Sequence, residues 1–182
     1  KGVAWMHRER GGQILTTPIE HKAILDSRKS VEHEGFEITF LPVDRYGVVD
    51  PGDVAKAITP RTILVSVMLA SNEIGTIEPI EKIGQITRSK GVLLHTDAAQ
   101  AVGKVPVDVA RMNIDLLSLT GHKMFGPKGI GALYVRGKNP REQLAPLIDG
   151  GGQESGVRSG TLNVPGIVGL GEACRIGYEE MA

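Results

Sequence analysis

The chain has a single cysteine, Cys174, in 182 residues, so no intrachain disulfide can form and nothing calls for an oxidising compartment. A cytosol-like setting is expected. An excess of either charge is also missing: 21 basic and 21 acidic side chains give a formal net charge of zero. That argues against nucleic acid or an anionic membrane as partner, because both need a basic excess or patch. No apolar run approaches the roughly 20 residues of a membrane span, and no basic-then-apolar leader follows Lys1. The chain opens Lys1-Gly2-Val3 without a methionine and stops inside what reads as a helix, so a piece of a longer protein is expected. The 41% of apolar residues suits one soluble domain with a sizeable core.

Residues 1–12 are polar and glycine-containing, and Gln13–Thr17 reads as a short strand. Glu20-His21 then leads into a helix running to about Gly35, with Ile24, Leu25 and Val31 as its apolar face. Phe36–Leu41 alternates as a strand, Asp44–Gly47 is a turn, and Asp50-Pro51 starts a helix containing Val54, Ala57 and Ile58. Thr62–Leu69 is a continuous apolar strand of the kind buried on both faces of a parallel sheet. The spacing of Ile80, Ile83 and Ile86 predicts a helix over Pro79–Lys90. Gly91–His95 reads as the next strand, Asp108–Met112 as a short helical piece, and Asp115–Leu119 as another strand. Strand and helix in alternation predict an α/β domain with a mostly parallel sheet flanked by helices.

The chemistry concentrates where apolar runs end. Leu116–Leu119 runs into Thr120-Gly121-His122-Lys123, and Gly126, Pro127, Gly129 and Gly131 then force an irregular path into the strand Ala132–Val135. The P-loop pattern Gly-x-x-x-x-Gly-Lys-Ser/Thr is not met, since Pro127, Lys128 and Gly129 follow Gly126. A Rossmann fingerprint fails because these glycines lead to a strand and not a helix. A lysine delivered to a strand end suits Schiff-base chemistry, in which the amine is positioned and partly desolvated to act as nucleophile. Taken alone, a lysine in a glycine loop is more often a plain surface residue, and the rest of the chain is what overturns that reading.

Its companions specify the electrophile. In parallel sheets ligands sit outside the carboxyl ends of the strands, where His21, Asn72, Asp97 with Gln100, and Thr120–Lys123 all fall. An aspartate there can keep a pyridine nitrogen protonated, the partner of a lysine Schiff base in pyridoxal phosphate enzymes. Asp97 has that role, or caps a helix before Ala98-Ala99-Gln100. Asn72 and Gln100 can hydrogen-bond the ring oxygen, with turn formation the other use of Asn72. His21 can stack on the ring and move protons, or merely start a helix. Thr120 and His122 can bind phosphate, or cap the glycine-rich turn. A zinc site of His21, His95, Asp97 and His122 is the rival, but neither His-Glu-x-x-His nor a cysteine pair is present.

Glu20-His21-Lys22-Ala23-Ile24-Leu25, Ala70-Ser71-Asn72-Glu73-Ile74-Gly75, His95-Thr96-Asp97-Ala98-Ala99-Gln100, Thr120-Gly121-His122-Lys123 and Arg158-Ser159-Gly160-Thr161-Leu162 resemble the cysteine desulfurases. These are homodimeric pyridoxal 5'-phosphate enzymes of the class V aminotransferase fold, a fold-type-I large domain, and they feed iron–sulfur cluster assembly. The resemblance implies that Lys123 carries the cofactor, Asp97 pairs with its ring nitrogen and His21 stacks on the ring. Asn72 and Gln100 would hold the ring oxygen, Thr120 and His122 the phosphate, and Thr161 the phosphate of the partner subunit. The implied reaction converts L-cysteine to L-alanine and leaves an enzyme persulfide for a sulfur-acceptor or scaffold protein. The implied location is cytoplasmic, or mitochondrial in a eukaryote.

Residues 1–182 would then be the cofactor-binding core, without the family's upstream phosphate loop and C-terminal small domain. The sulfur-accepting cysteine loop and the substrate-carboxylate arginine belong to that missing C-terminal segment. Cys174, within Gly171-Glu172-Ala173-Cys174-Arg175-Ile176, reads instead as a small buried thiol on a helix. Ser71 stands where many relatives carry asparagine. Selenocysteine lyase shares the same motifs, and a non-catalytic scaffold that keeps only the fold is the reading from outside enzymology.

Overall fold

The computed structural model describes residues 1–137 and 144–181. Six strands, β1 (Gln13–Thr16), β2 (Glu37–Phe40), β3 (Thr62–Ser66), β4 (Leu93–Asp97), β5 (Leu116–Thr120) and β6 (Gly131–Val135), form one sheet in the order β2-β1-β3-β4-β5-β6. The first five are parallel, and β6 runs antiparallel to β5. The helices are α1 (Gly2–Met6), α2 (Lys22–His33), α3 (Pro51–Ala57), α4 (Ile80–Ser89) and α5 (Val164–Glu180).

Paired apolar residues on adjacent positions explain the layers. Successive side chains of a strand point to opposite faces, so a sheet covered on both sides needs apolar doublets. Leu15, Val65, Leu94 and Leu117 pack on one face with Val54 of α3 and with Ile80 and Ile83 of α4. Their neighbours Ile14, Leu64 and Leu116 pack on the other with Val3 and Ala4 of α1 and Val31 of α2. Each such fully buried side chain contributes about 1.5–3 kcal/mol, which fixes the register and with it the strand ends.

Several boundaries differ from the sequence reading. Residues 1–12 contain α1, which buries Val3 and Ala4. Strand β4 starts at Leu93 and not Gly91, because Gly91 adopts φ +66° as the stop of α4 and Val92 N–H returns to Thr87 O. Asp97 is therefore the last residue of β4. Residues 108–112 form a single turn, in which Asp108 accepts from the N–H groups of Ala110 and Arg111. Asn113 then turns into positive φ, so no helix propagates. Of the expected apolar face of α2, Val31 is buried while Ile24 and Leu25 are half-buried.

Candidate active site

Because β1, β3, β4 and β5 are adjacent and parallel, the segments that follow them leave from one edge. Register places Thr16 beside Ser66, Ser66 beside His95, and Asp97 beside Ser118. The backbone pairing continues past the strands through Leu69 N–H to Asp97 O and Ala98 N–H to Ser118 O. All the predicted residues except Thr161 emerge from that edge.

The structure separates the local role of each residue from what is left over. His21 caps α2, with Nδ1 accepting from Ala23 N–H at 3.1 Å; the neutral ring then carries its proton on Nε2. Asp97 closes a turn and not a helix, with Oδ1 accepting from Ala99 N–H at 2.9 Å. Its Oδ2 has no hydrogen-bond partner among the described residues. In the loop after β3 it is Ser71, not Asn72, that makes the turn, its Oγ accepting from the N–H groups of Glu73 and Ile74. The Asn72 amide is left exposed. Gln100 Oε1 accepts from Lys104 Nζ at 2.8 Å, so its amide nitrogen remains a donor.

After β5 the chain makes a 3-10 turn, Gly121–Met124, closed by Phe125 at φ +61° and by Gly126 N–H to Gly121 O. Thr120 makes no side-chain cap to this turn. Its hydroxyl lies 2.9 Å from His122 Nδ1. Met124 is buried against Leu170 and Ala173 of α5. A Cβ at Gly126 would stand 2.9 Å from that of Ala173, and one at Gly169 would stand 2.5 Å from Pro127. Only glycine lets α5 clamp the loop this closely.

Lys123 is exposed, with no hydrogen bond or ion pair among the described residues, on the wall of a cleft of about 770 Å³ between this loop and α5. His21, Asn72 and Asp97 do not line that cleft. They follow strands that are neighbours of β5 or of one another along the same edge of the sheet. Thr161 is exposed ahead of α5, and its side chain makes no hydrogen bond to the Thr120–Lys123 group.

Glu20, which the sequence left unassigned, is buried, and His95, there only a rival zinc ligand, is part-buried between strands. Glu20 is 4% exposed under the β1–α2 turn, and burial, chiefly, pushes its carboxyl up to about 7. His95 bridges strands, with Nδ1 2.8 Å from Ser66 Oγ and Nε2 3.2 Å from Ser118 Oγ. Burial between them draws its pKa down to about 4. With both ring nitrogens engaged, His95 is unavailable to the rival zinc set, and no group of three or more metal-ligating side chains occurs among the described residues. Both residues are polar positions in motifs of mixed character, and no periodicity marks them; only the neighbouring strands reveal their contacts.

A mostly parallel sheet carrying a lysine, an aspartate, imidazoles and amides along its carboxyl edge defines a fold-type-I pyridoxal-phosphate domain. The chain belongs to the aminotransferase class-V family, whose sequence model matches residues 2–181. It is 55% identical over 181 residues to the cysteine desulfurase IscS of Ehrlichia chaffeensis, matching 100% of this chain and 44% of that protein. It is 56% identical over 183 residues to the mitochondrial cysteine desulfurase of Arthroderma benhamiae, of which it covers 36%. Among solved structures, SspA in complex with cysteine superposes with a TM-score of 0.92 at 47% identity, over 96% of this chain and 50% of that one. A NifS-like protein gives 0.92 at 44%, over 98% and 49%. The chain thus spans half or less of the length of these relatives.

Proposed function

We propose that this chain is the cofactor-binding core of a pyridoxal-phosphate-dependent cysteine desulfurase, acting on L-cysteine to give L-alanine and passing the sulfur on through a persulfide. The observation that carries the reading is the set of groups left over at the sheet edge once local caps and turns are satisfied. Among the described residues these are an unpaired Lys123 amine, a free oxygen on Asp97, free amide donors on Asn72 and Gln100, and the Thr120–His122 pair. That donor set fits the cofactor group by group.

Bound there, pyridoxal phosphate supplies an electron sink for the pair released at the substrate α-carbon. Lys123 is the amine that holds the cofactor and afterwards moves protons at its Nζ. Asp97 Oδ2 keeps the ring nitrogen protonated, while Oδ1 stays with Ala99 and holds the carboxylate in place. Asn72 and Gln100 donate to the ring oxygen, and Thr120 and His122 take the phosphate at the start of the 3-10 turn. His21, oriented by its bond to Ala23, stacks on the ring.

The resemblance to the cysteine desulfurases extends the proposal to a homodimer, with Thr161 reaching the partner subunit's cofactor, and to a sulfur-acceptor or iron–sulfur scaffold protein as client. The compartment would be cytoplasm, or mitochondrion in a eukaryote. Among the described residues no helix is long and apolar enough to cross a membrane. The test is an absorption spectrum after adding pyridoxal phosphate, with and without Lys123→Ala, followed by L-cysteine. A visible band in the parent that the variant lacks, and that L-cysteine perturbs, supports the reading. No band in the parent rejects it for this chain.

A further inference from the structure

Glu20 sits immediately before His21, and its side chain is buried where that of His21 is exposed. Its Oε1 accepts from the Thr17 hydroxyl at 2.9 Å and from Met68 N–H at 2.8 Å. One oxygen therefore fastens the turn that carries His21 to the chain leaving β3. Oε2 is buried and has no partner.

No cation among the described residues answers it. Along the cleft of about 510 Å³ beside Glu20, Lys22 and Lys29 pair with Asp26, and Arg28 pairs with Glu32. The other charges are acidic: Glu73 on the cleft wall, Asp97 from β4, and Glu78. His21 has its Nδ1 committed to Ala23. A buried carboxylate oxygen with neither donor nor counter-ion is far costlier than a protonated one.

We propose that Glu20 is a positioning residue of the site. One oxygen ties the His21 turn to the chain leaving β3, and the other, buried without a hydrogen-bond partner among the described residues, holds a proton. Burial is the largest cause of its raised pKa, offset in part by the Met68 and Thr17 hydrogen bonds and reinforced by Asp97 and Glu78. The inference rests on the cofactor reading above, and its first test is independent of cofactor.

That test compares cofactor-free protein with Glu20→Gln, which keeps an acceptor for Thr17 and Met68 and carries no charge. A carboxyl whose folded pKa is about 7 against 4.5 unfolded loses stability as pH rises between those values. Glu20→Gln should match the parent near pH 4.5 and gain on the order of a hundredfold in folding equilibrium constant by pH 8. A gap independent of pH overturns the proton-holding role. The second test follows the visible band of the cofactor-loaded protein against pH. The parent should show a transition near pH 7 that Glu20→Gln lacks, and Glu20→Ala, which also loses the tie, should bind pyridoxal phosphate at least tenfold more weakly. Identical profiles, or unchanged affinity in Glu20→Ala, overturn the positioning role. Absence of any band in the parent instead rejects the cofactor reading, which the first test leaves visible as a separate failure.

Discussion

The hydroxyl of Thr120 and Nδ1 of His122 lie 2.9 Å apart across the bend that ends β5, one residue before Lys123. The pair makes no side-chain cap to its own turn, and the Thr120 hydroxyl lies 3.4 Å from Ile130 O, a long contact that an anion can replace. Coupled groups should lose binding non-additively. Thr120→Ala and His122→Ala are each expected to weaken pyridoxal phosphate binding about tenfold, the worth of one hydrogen bond to a charged group. The double variant should lose less than the product of the two. Fluorescence titration of the cofactor measures all three, and strict additivity would show that the pair does not act as a unit.

Lys123 is exposed and makes no hydrogen bond or ion pair among the described residues, so its replacement separates chemistry from stability. Lys123→Ala should unfold within about 0.5 kcal/mol of the parent, as exposed substitutions do, while losing the visible band entirely. A destabilisation of several kcal/mol, read from denaturant melts, would mean that the side chain is structural.

Asp97 tests which of its two oxygens matters. Asp97→Asn keeps an acceptor for Ala99 N–H and removes the charge; Asp97→Ala removes both. The alanine variant should lose about 1 kcal/mol of stability, the usual worth of one hydrogen bond, and the asparagine variant close to none. Cofactor chemistry should fall alike in the two. If activity followed stability instead, the aspartate would serve only the turn.

The sheet and the strand-end positions were legible because apolar doublets such as Leu64-Val65 and Leu116-Leu117 admit few burial patterns other than a two-faced parallel sheet. The competing uses of a residue were not. Sequence offered helix capping or cofactor binding for Asp97, and the structure assigns one oxygen to a turn and leaves the other. For Asn72 it offered the turn, which Ser71 makes instead. Glu20 escaped notice, and His95 was read only as a rival zinc ligand, because their meaning lies in partners 48 and 29 residues away, and no local pattern encodes such contacts. Helix α1 was missed because two buried residues in a polar dozen give no period to read.

Cys174 lies on α5 beside Met124, Leu170 and Ala173, partly buried. A thiol held in a helix that clamps the lysine loop has no freedom to travel to a substrate sulfur. After incubation with pyridoxal phosphate and L-cysteine, mass spectrometry of the chain should find no added sulfur on Cys174, and Cys174→Ala should leave cofactor binding unchanged. A persulfide at Cys174 would make this core self-sufficient and overturn the expectation.

His95 and Glu20 pull stability in opposite directions over the same pH range. A histidine held near 4 in the fold against 6.5 unfolded stays neutral while the unfolded chain takes up a proton. Its contribution is therefore complete above about 6.5 and falls by on the order of 3 kcal/mol as pH drops to 4. Burial is the main cause. Glu20, raised from 4.5 to about 7, regains a similar amount as pH drops across its own window. The parent should therefore show a shallow stability profile between pH 7 and 4.5, which hides two steep ones. His95→Asn should uncover the Glu20 slope, with stability rising toward acid, and Glu20→Gln should uncover the His95 slope, with stability falling. Thermal melts of the three proteins across that range decide it. Parallel curves would mean that the two buried groups do not titrate as their surroundings dictate.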